Sequence, residues 1–133
     1  MKKLLFFTFA LLITFVSSAT SRNYYDESDP VYRDEEQKPE FPGGDKELFK
    51  YVQATIKYPT EAYEQKIEGR VIVQFVVEKD GSISNVKVVR KIHPLLDEEA
   101  VRVIENMPKW EPGRQRGKAV RVQYIVPVSF KVQ

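Results

Sequence analysis

The sequence predicts an α+β fold in which two helices pack on one face of a three-stranded antiparallel sheet, with the elements in the order α-β-β-α-β. Apolar residues recur at helical spacing over 45–56 and over 94–107. Two segments rich in β-branched and aromatic residues, 70–78 and 83–91, follow each other closely. Apolar and polar residues then alternate strictly over 120–132, which is typical of a strand with one face on a core and one in solvent.

The first predicted helix begins at Asp45, an acid suited to a cap or a first turn. It ends at Lys57-Tyr58, because the residue before Pro59 is excluded from the helical region. Its apolar stripe consists of Leu48, Phe49, Val52 and Ile56.

The next two strands form a hairpin, since Asp80-Gly81 tolerates the positive φ of a tight turn. The second helix begins near Pro94 and ends before Pro108, and the acids after Pro94 favour a helix N-terminus. Its buried stripe consists of Leu96, Ala100, Val103, Ile104 and Met107.

The last strand contains Pro127, which has no amide hydrogen to donate, so the alternating pattern places this strand at a sheet edge. An edge strand with unpaired backbone groups can accept a peptide as a further strand. The alternative is an edge blunted by Pro127 and by charges against aggregation. The predicted core comprises Val73, Phe75, Trp110, Val122 and Tyr124.

The first 40 residues have a different composition from the rest of the 133-residue chain. Residues 1–19 combine Lys2-Lys3 with a 13-residue apolar run and small residues up to Ala19, which favours a secretory signal cleaved after Ala19. An uncleaved membrane anchor stays open as the alternative. Residues 20–40 carry a net charge of −4 and are expected to be a flexible, solvated linker to a domain over 41–133.

The residue inventory predicts a protein that is not an enzyme and binds neither cofactor nor metal. Cysteine is absent, and His93 is the single histidine, at an expected helix start where it serves as a cap or surface residue. Asp97, Glu98 and Glu99 are read as partners of the helix dipole. The net charge of +2 does not favour nucleic acid. A basic loop over 114–118 is either simply solvated or steers an acidic partner.

Several short blocks in a fixed order resemble the C-terminal domain of TonB, the periplasmic protein that carries energy from an inner-membrane motor to outer-membrane transporters. The resemblance covers 41–133, and no single block is specific by itself. The blocks are Phe41-Pro42-Gly43-Gly44, Tyr58-Pro59, Ile67-Glu68-Gly69-Arg70-Val71, residues 107–113 from Met107 to Gly113, and residues 124–130.

The resemblance implies the fold already predicted and an exported domain that binds the TonB-box peptide of an outer-membrane TonB-dependent transporter. It implies a binding role for Tyr58 and Pro59, and the edge argument adds Arg121, Gln123 and Ile125. The chain departs from the family where a long proline-rich spacer and a histidine in the membrane helix are expected. A periplasmic or secreted interaction module without energy transduction therefore stays open, as do inner-membrane motor partners for an anchored form and a homodimer.

Overall fold

The computed structural model of the protein describes residues 29–32 and 36–133. The segment 1–19, with the expected cleavage after Ala19, lies outside the described residues, as do 20–28 and 33–35 of the expected linker. Within the described part of the chain, no helix is long and apolar enough to cross a membrane.

Three helices are present: α1 (Asp45–Thr55), α2 (Thr60–Glu64) and α3 (Pro94–Glu105). The first and the last confirm the two predicted helices. The short α2 was not predicted. α1 ends at Thr55, before the predicted end at Lys57-Tyr58. Pro59 then precedes α2, since its fixed φ of −59° suits the position before a helix and its carbonyl accepts the Tyr63 amide at 2.9 Å.

The N-terminus of α3 is capped as the sequence predicts. The His93 ring accepts a hydrogen bond at Nδ1 from the Leu95 amide at 3.1 Å, and Pro94 occupies the first helical position. The Asp97 carboxylate accepts a hydrogen bond from the Ile92 amide at 3.0 Å. These contacts assign His93 and Asp97 a structural role at the helix start.

The sheet has the strand order β1-β5-β2-β3, and β4 pairs with β5 outside that path. The three long strands, β2 (Gly69–Val77), β3 (Ile83–Arg90) and β5 (Lys118–Phe130), are antiparallel, which confirms the predicted three-stranded sheet. Two short strands, β1 (Val31–Tyr32) and β4 (Gly113–Gln115), are additions to it. β1 runs parallel to β5, opposite Arg121 and Val122.

The segment predicted as a basic loop forms a hairpin with the last strand instead. Gln115 pairs with Lys118, and the two residues between them turn the chain. Arg116 has a φ of 52° and Gly117 a φ of 77°, the paired positive values of a two-residue hairpin turn. The prediction of a loop was wrong because turn geometry, rather than the charges, determines the local structure here.

The prediction of a wholly solvated linker over 20–40 was wrong for the residues that the structure describes. Gln37 and Arg114 exchange two backbone hydrogen bonds of 3.1 and 2.9 Å. Glu40 and Glu111 exchange a second pair of 2.9 and 2.8 Å. Pro39, which lies between Gln37 and Glu40 in the sequence, is buried. Backbone pairing of this kind is independent of side-chain hydrophobicity, so periodicity does not reveal it.

The hydrophobic core lies between the helices and one face of the long strands. Val73 and Phe75 are fully buried, Trp110 and Val122 are nearly so, and Tyr124 is half-buried against the core cluster. The Trp110 ring makes edge-type contacts with Phe75 at 5.5 Å and with Tyr124 at 5.1 Å between ring centroids. Trp110 therefore fills the centre of the core.

One member of the predicted stripe of α1 points away from the core. Leu48 and Val52 are buried, but Phe49 exposes 67% of its surface. Successive helical residues are separated by about 100°, so Phe49 lies about 100° from Leu48 and about 60° from Val52, at the flank of the face that these two residues share.

Candidate binding site at the edge of the sheet

The outer side of β5 is partly covered and partly open. Among the described residues, β1 covers Arg121 and Val122, and no strand pairs with the outer side of residues 125–130. Pro127 lies in this open stretch, opposite Ile72 of β2. A proline amide cannot donate to β2, so Pro127 suits a position whose backbone faces outward, and the backbones of Ile125 and Ser129 then face outward as well.

The other edge of the sheet, β3, is less regular. Its pairing with β2 shifts register between Ile72 and Val73 and again between Gln74 and Val76. Asn85 in β3 has a φ of 49°, in the left-handed region. Irregularities of this kind interrupt the row of backbone groups that an added strand requires, so β5 offers the better edge.

Arg121, predicted as a partner-binding residue at an open edge, is a buried structural residue. Only 5% of it is exposed. Its guanidinium bonds the Glu78 carboxylate through Nε at 2.7 Å and Nη2 at 3.1 Å. Its Nη1 donates to the Asp29 carbonyl at 3.0 Å. The alternating pattern predicted a solvent-facing residue here, and this was wrong because Glu78 and the N-terminal segment cover that face locally.

The N-terminal segment is held at this position by further contacts. The ammonium of Lys79 pairs with the Asp29 carboxylate, and Ser84 Oγ donates to Glu78 at 2.5 Å. A single cluster of side chains thus joins the N-terminal segment at Asp29 to the sheet. A partner strand could therefore pair with the outer edge of β5 only beyond Val122, the last residue that β1 covers.

Gln123 and Ile125, also predicted to bind a partner, differ in exposure. Gln123 is half-buried and lines a cavity on the sheet face opposite the helices, together with Val31 and Val76. Ile125 exposes 49% of its surface. Of the three residues predicted on β5, Ile125 alone combines an open edge with an exposed side chain.

Tyr58 lies at the other end of the strand, whereas Pro59 lines a cavity with Val88 of β3 and Leu95 of α3. The Tyr58 ring contacts Phe130 edge-on at 5.6 Å, and its hydroxyl donates to the Ile67 carbonyl at 2.5 Å. Burial raises the pKa of this hydroxyl, with a smaller contribution from the charge of Glu68. Arg121 and Phe130 are nine residues apart, about 30 Å along a strand. The structure therefore does not bring the predicted binding residues together into one patch.

A cavity of about 280 Å³ lies between α1 and the open edge of β5. We call it the edge groove. Sequence periodicity did not reveal it, and the exposed Phe49 at the flank of the helix stripe is its one local signal. It is lined by Asp45, Leu48, Phe49, Val52 and Gln53 of α1, by Val126, Pro127 and Ser129 of β5, and by Arg70 of β2.

Polar contacts between the helices fix α1 beside the sheet. Arg102 Nη2 donates to the Thr55 carbonyl at 2.9 Å, and Tyr51 Oη donates to the Val103 carbonyl at 3.0 Å. The Glu99 carboxylate accepts hydrogen bonds from Arg102 Nε and from the Lys57 amide, both at 2.5 Å. Burial acts to raise the pKa of Glu99, but the hydrogen bonds and positive charge of Arg102 and Lys57 outweigh it and lower that pKa.

The described residues contain no group of three or more histidine, cysteine, aspartate or glutamate side chains placed to hold a metal ion. The arrangement consists of a sheet with one open strand edge and an adjoining groove. Such an arrangement can recognise an extended polypeptide.

The chain belongs to the Gram-negative bacterial TonB protein C-terminal family, whose profile matches residues 54–132. It is 35% identical over 78 residues to Protein TonB of Pseudomonas aeruginosa, an alignment that covers 57% of this chain and 22% of that protein. The chain thus matches about a fifth of the length of that relative.

Solved structures of TonB C-terminal domains are also similar. A solution structure from Helicobacter pylori is 23% identical, with a TM-score of 0.49, and covers 65% of this chain and 90% of its own. A solution structure from Pseudomonas aeruginosa is 29% identical, with a TM-score of 0.45, and covers 58% of this chain and 78% of its own.

Proposed function

We propose that this protein is an exported, TonB-like periplasmic domain that binds the TonB-box peptide of an outer-membrane TonB-dependent transporter by edge-strand addition. Its role would be in energy-coupled uptake across the outer membrane. The single observation that carries the proposal is the outer edge of β5, to which no described strand pairs over residues 125–130. Membership of the TonB C-terminal family supports the class of partner.

The proposed site lies further along β5 than the stretch that the sequence favoured. The sequence favoured pairing along 121–125, but β1 and the buried Arg121 occupy the beginning of that stretch. The proposed contact instead centres on Ile125, Pro127 and Ser129. Tyr58, which packs on Phe130, is proposed to border the far end of the added strand.

The proposal is tested by titrating the isotopically labelled protein with a synthetic TonB-box peptide and following backbone amide shifts. Such a contact is small, so a dissociation constant in the micromolar range or weaker is expected, equivalent to about −8 kcal/mol at best. The largest shifts are expected at residues 125–130. Shifts confined to β3 or to the helices would contradict strand addition at β5.

Two substitutions at Ile125 provide a matched pair. Ile125→Pro removes an amide that faces outward and is expected to abolish binding, whereas Ile125→Thr keeps that amide and is expected to bind within about threefold of the original protein. A melting curve for each variant confirms that β5 is intact. Equal binding by the two folded variants would exclude main-chain pairing at this position.

A second candidate is a periplasmic or secreted interaction module that works without energy transduction. The observation in its favour is that Val31–Tyr32, Gln37 and Glu40 pair with the domain, which shortens the free tether that the sequence predicts. The intact mass of the protein from its native envelope separates the two candidates at the N-terminus. Loss of residues 1–19 favours the free module, whereas retention favours an anchored transducer that also contacts an inner-membrane motor.

The outer edge of β5 could alternatively pair with the same edge of a second copy and so form a homodimer. Two copies that paired through β5 would compete with the peptide. Sedimentation of the protein with and without the synthetic peptide would reveal such competition as dissociation of the dimer.

A further inference from the structure

The cavity that Pro59 and α3 line has a volume of about 640 Å³. We call it the α3 groove. Most of its lining belongs to α3, and the rest comes from Pro59 and from Val88 of β3. It shares no lining residue with the edge groove, and its volume falls within the range of roughly 300–1,000 Å³ typical of ligand sites.

The α3 groove has an apolar component. Pro59, Val88, Leu95 and Val101 line it, and each of them is half-buried. Val88 and Leu95 also pack against the core cluster, whereas Val101 lies outside that cluster. Val101 therefore offers its apolar surface to the groove rather than to the core.

The charged part of the lining is predominantly negative. It contains the carboxylates of Asp97, Glu98, Glu99 and Glu105 and the guanidinium of Arg102. Arg102 is already paired with Glu99, and Asp97 already accepts the Ile92 amide. Glu98 and Glu105 are exposed, and neither forms an ion pair with another described residue. Seven residues apart on α3, they lie two turns and about 10 Å from each other on one side of the helix.

The kind of partner follows from what the groove presents. The backbone groups of α3 are bonded within the helix, so a partner meets side chains here rather than a strand edge. An amphipathic helix binds a groove in this way, through aliphatic side chains spaced three or four residues apart. The charge complementary to Glu98 and Glu105 is positive. Residues 20–40 of the chain itself carry a net charge of −4 and so do not suit this groove.

We propose that the α3 groove is a second interaction surface, which binds a basic amphipathic helix of a partner protein. Aliphatic side chains of that helix cover Leu95 and Val101, and its lysine or arginine side chains pair with Glu98 and Glu105. The proposal does not depend on strand addition, because none of residues 125–130 lines this groove. The domain would then have one surface for an extended peptide and another for a helix.

Three synthetic peptides of fifteen residues test this inference. The first carries leucine at its fourth, eighth and eleventh positions with lysine and alanine elsewhere. The second has alanine in place of each leucine, and the third has glutamate in place of each lysine. We expect the leucine–lysine peptide to bind the isotopically labelled protein at least about tenfold more tightly than either of the others. Its amide shifts should lie in residues 95–105, and added salt should weaken its binding.

Removal of the two exposed carboxylates provides the second arm. The double variant Glu98→Gln with Glu105→Gln is expected to weaken the leucine–lysine peptide about fivefold at low salt. Glu64→Gln with Glu111→Gln is the matched control, since these two acids are also exposed but do not line the groove. The control makes the same change in net charge and is expected to bind as the original protein does.

Substitution of Val101 tests the apolar part of the groove. Val101→Thr keeps the branched shape of the side chain, and it is expected to weaken the leucine–lysine peptide about threefold through lost apolar contact. Val132→Thr is the control, because Val132 is another half-buried valine that lies outside the groove lining. A melting curve for each variant confirms that the domain is folded.

Several outcomes would overturn the inference. Equal binding of the lysine and glutamate peptides would exclude recognition of positive charge, and equal weakening by the two double variants would show that only the net charge matters. Shifts confined to residues 125–130 would place the peptide at the strand edge instead. The titration with a TonB-box peptide is read at residues 125–130 and this one at 95–105, so a failure of either proposal is distinguished from a failure of the other.

Discussion

Arg121 Nε lies 2.7 Å from Glu78 Oε2, and these side chains expose only 6% and 1% of their surfaces. The same guanidinium donates to the carbonyl of Asp29, so this buried ion pair also holds the N-terminal segment against the sheet. The ion pair should therefore stabilise the domain, and it also keeps the N-terminal segment over the beginning of β5.

Removal of one member of this pair should destabilise the domain strongly. We expect Arg121→Met to lower the free energy of unfolding by about 3–5 kcal/mol, because it leaves a buried carboxylate without its counter-ion. The double variant Glu78→Leu with Arg121→Met should recover most of that loss. Urea unfolding measures both values, and a single variant that loses under about 1 kcal/mol would contradict the buried pair.

The hairpin turn at Gly81 should not accept a side chain. Gly81 has a φ of +86°, and a Cβ there would lie 1.9 Å from the Trp110 carbonyl oxygen. We expect Gly81→Ala to cost about 3 kcal/mol or more. Gly117 is the control: its φ is +77°, but a Cβ there meets no atom within 4 Å. Gly117→Ala should cost about 1–2 kcal/mol, and equal losses in denaturant unfolding would contradict the close approach.

Phe75 should be among the largest single contributors to the core. It is fully buried between Trp110 and Tyr124. We expect Phe75→Ala to lower the free energy of unfolding by about 3–5 kcal/mol through lost burial and the cavity it leaves. Arg70→Ala, at an exposed position on the same strand, should change it by less than about 0.5 kcal/mol. A loss under about 1 kcal/mol at Phe75, measured by chemical unfolding, would contradict the assigned strand face.

Glu99 should contribute to stability in a pH-dependent way. Its pKa in the folded protein is lowered from the ordinary value of 4.5. The contribution is therefore fully present above about pH 4.5 and is lost as the pH falls through the lower folded pKa. We expect Glu99→Gln to be less stable than the original protein near pH 7 and to lose less stability on acidification.

Thermal unfolding at several pH values measures this difference. Glu98→Gln, an exposed neighbour on α3, is the control and should retain the acid profile of the original protein. A profile for Glu99→Gln that runs parallel to that of the original protein across the acid range would contradict the role of Glu99.

The main elements of the fold follow from periodicity and from the residues that end each element. Pro59 and Pro108 limit how far the two long helices could extend, because a proline restricts its predecessor and lacks an amide hydrogen. The helices end shortly before them, at Thr55 and at Glu105. The alternation through β5 identifies a strand with one buried face. The resemblance carried by short ordered blocks then identifies the family, which the profile match over residues 54–132 confirms.

The residues of the candidate site were harder to predict from the sequence than the fold. Ile125 follows from the alternation and from Pro127, but Arg121 has the same sequence signal and is buried. The difference arises from Glu78 and Asp29, which are 43 and 92 residues away in the chain. No local pattern contains contacts at that separation. Phe49 likewise fits the apolar stripe of α1 in the sequence, yet it lies at the flank of that stripe and 67% of its surface is exposed.

The sequence by itself determined the class of fold, the order of the long elements, the approximate extent of the two long helices and the family, because these depend on local backbone geometry and on the spacing of apolar residues. The tertiary structure alone decided which part of β5 is open. It docked Val31–Tyr32, Gln37 and Glu40 through backbone hydrogen bonds that any residue except proline can make. It also placed α1 beside the free edge to form the edge groove. Both the covered part of β5 and the edge groove depend on contacts between residues that are far apart in the chain. The periodicity within one segment cannot predict such contacts.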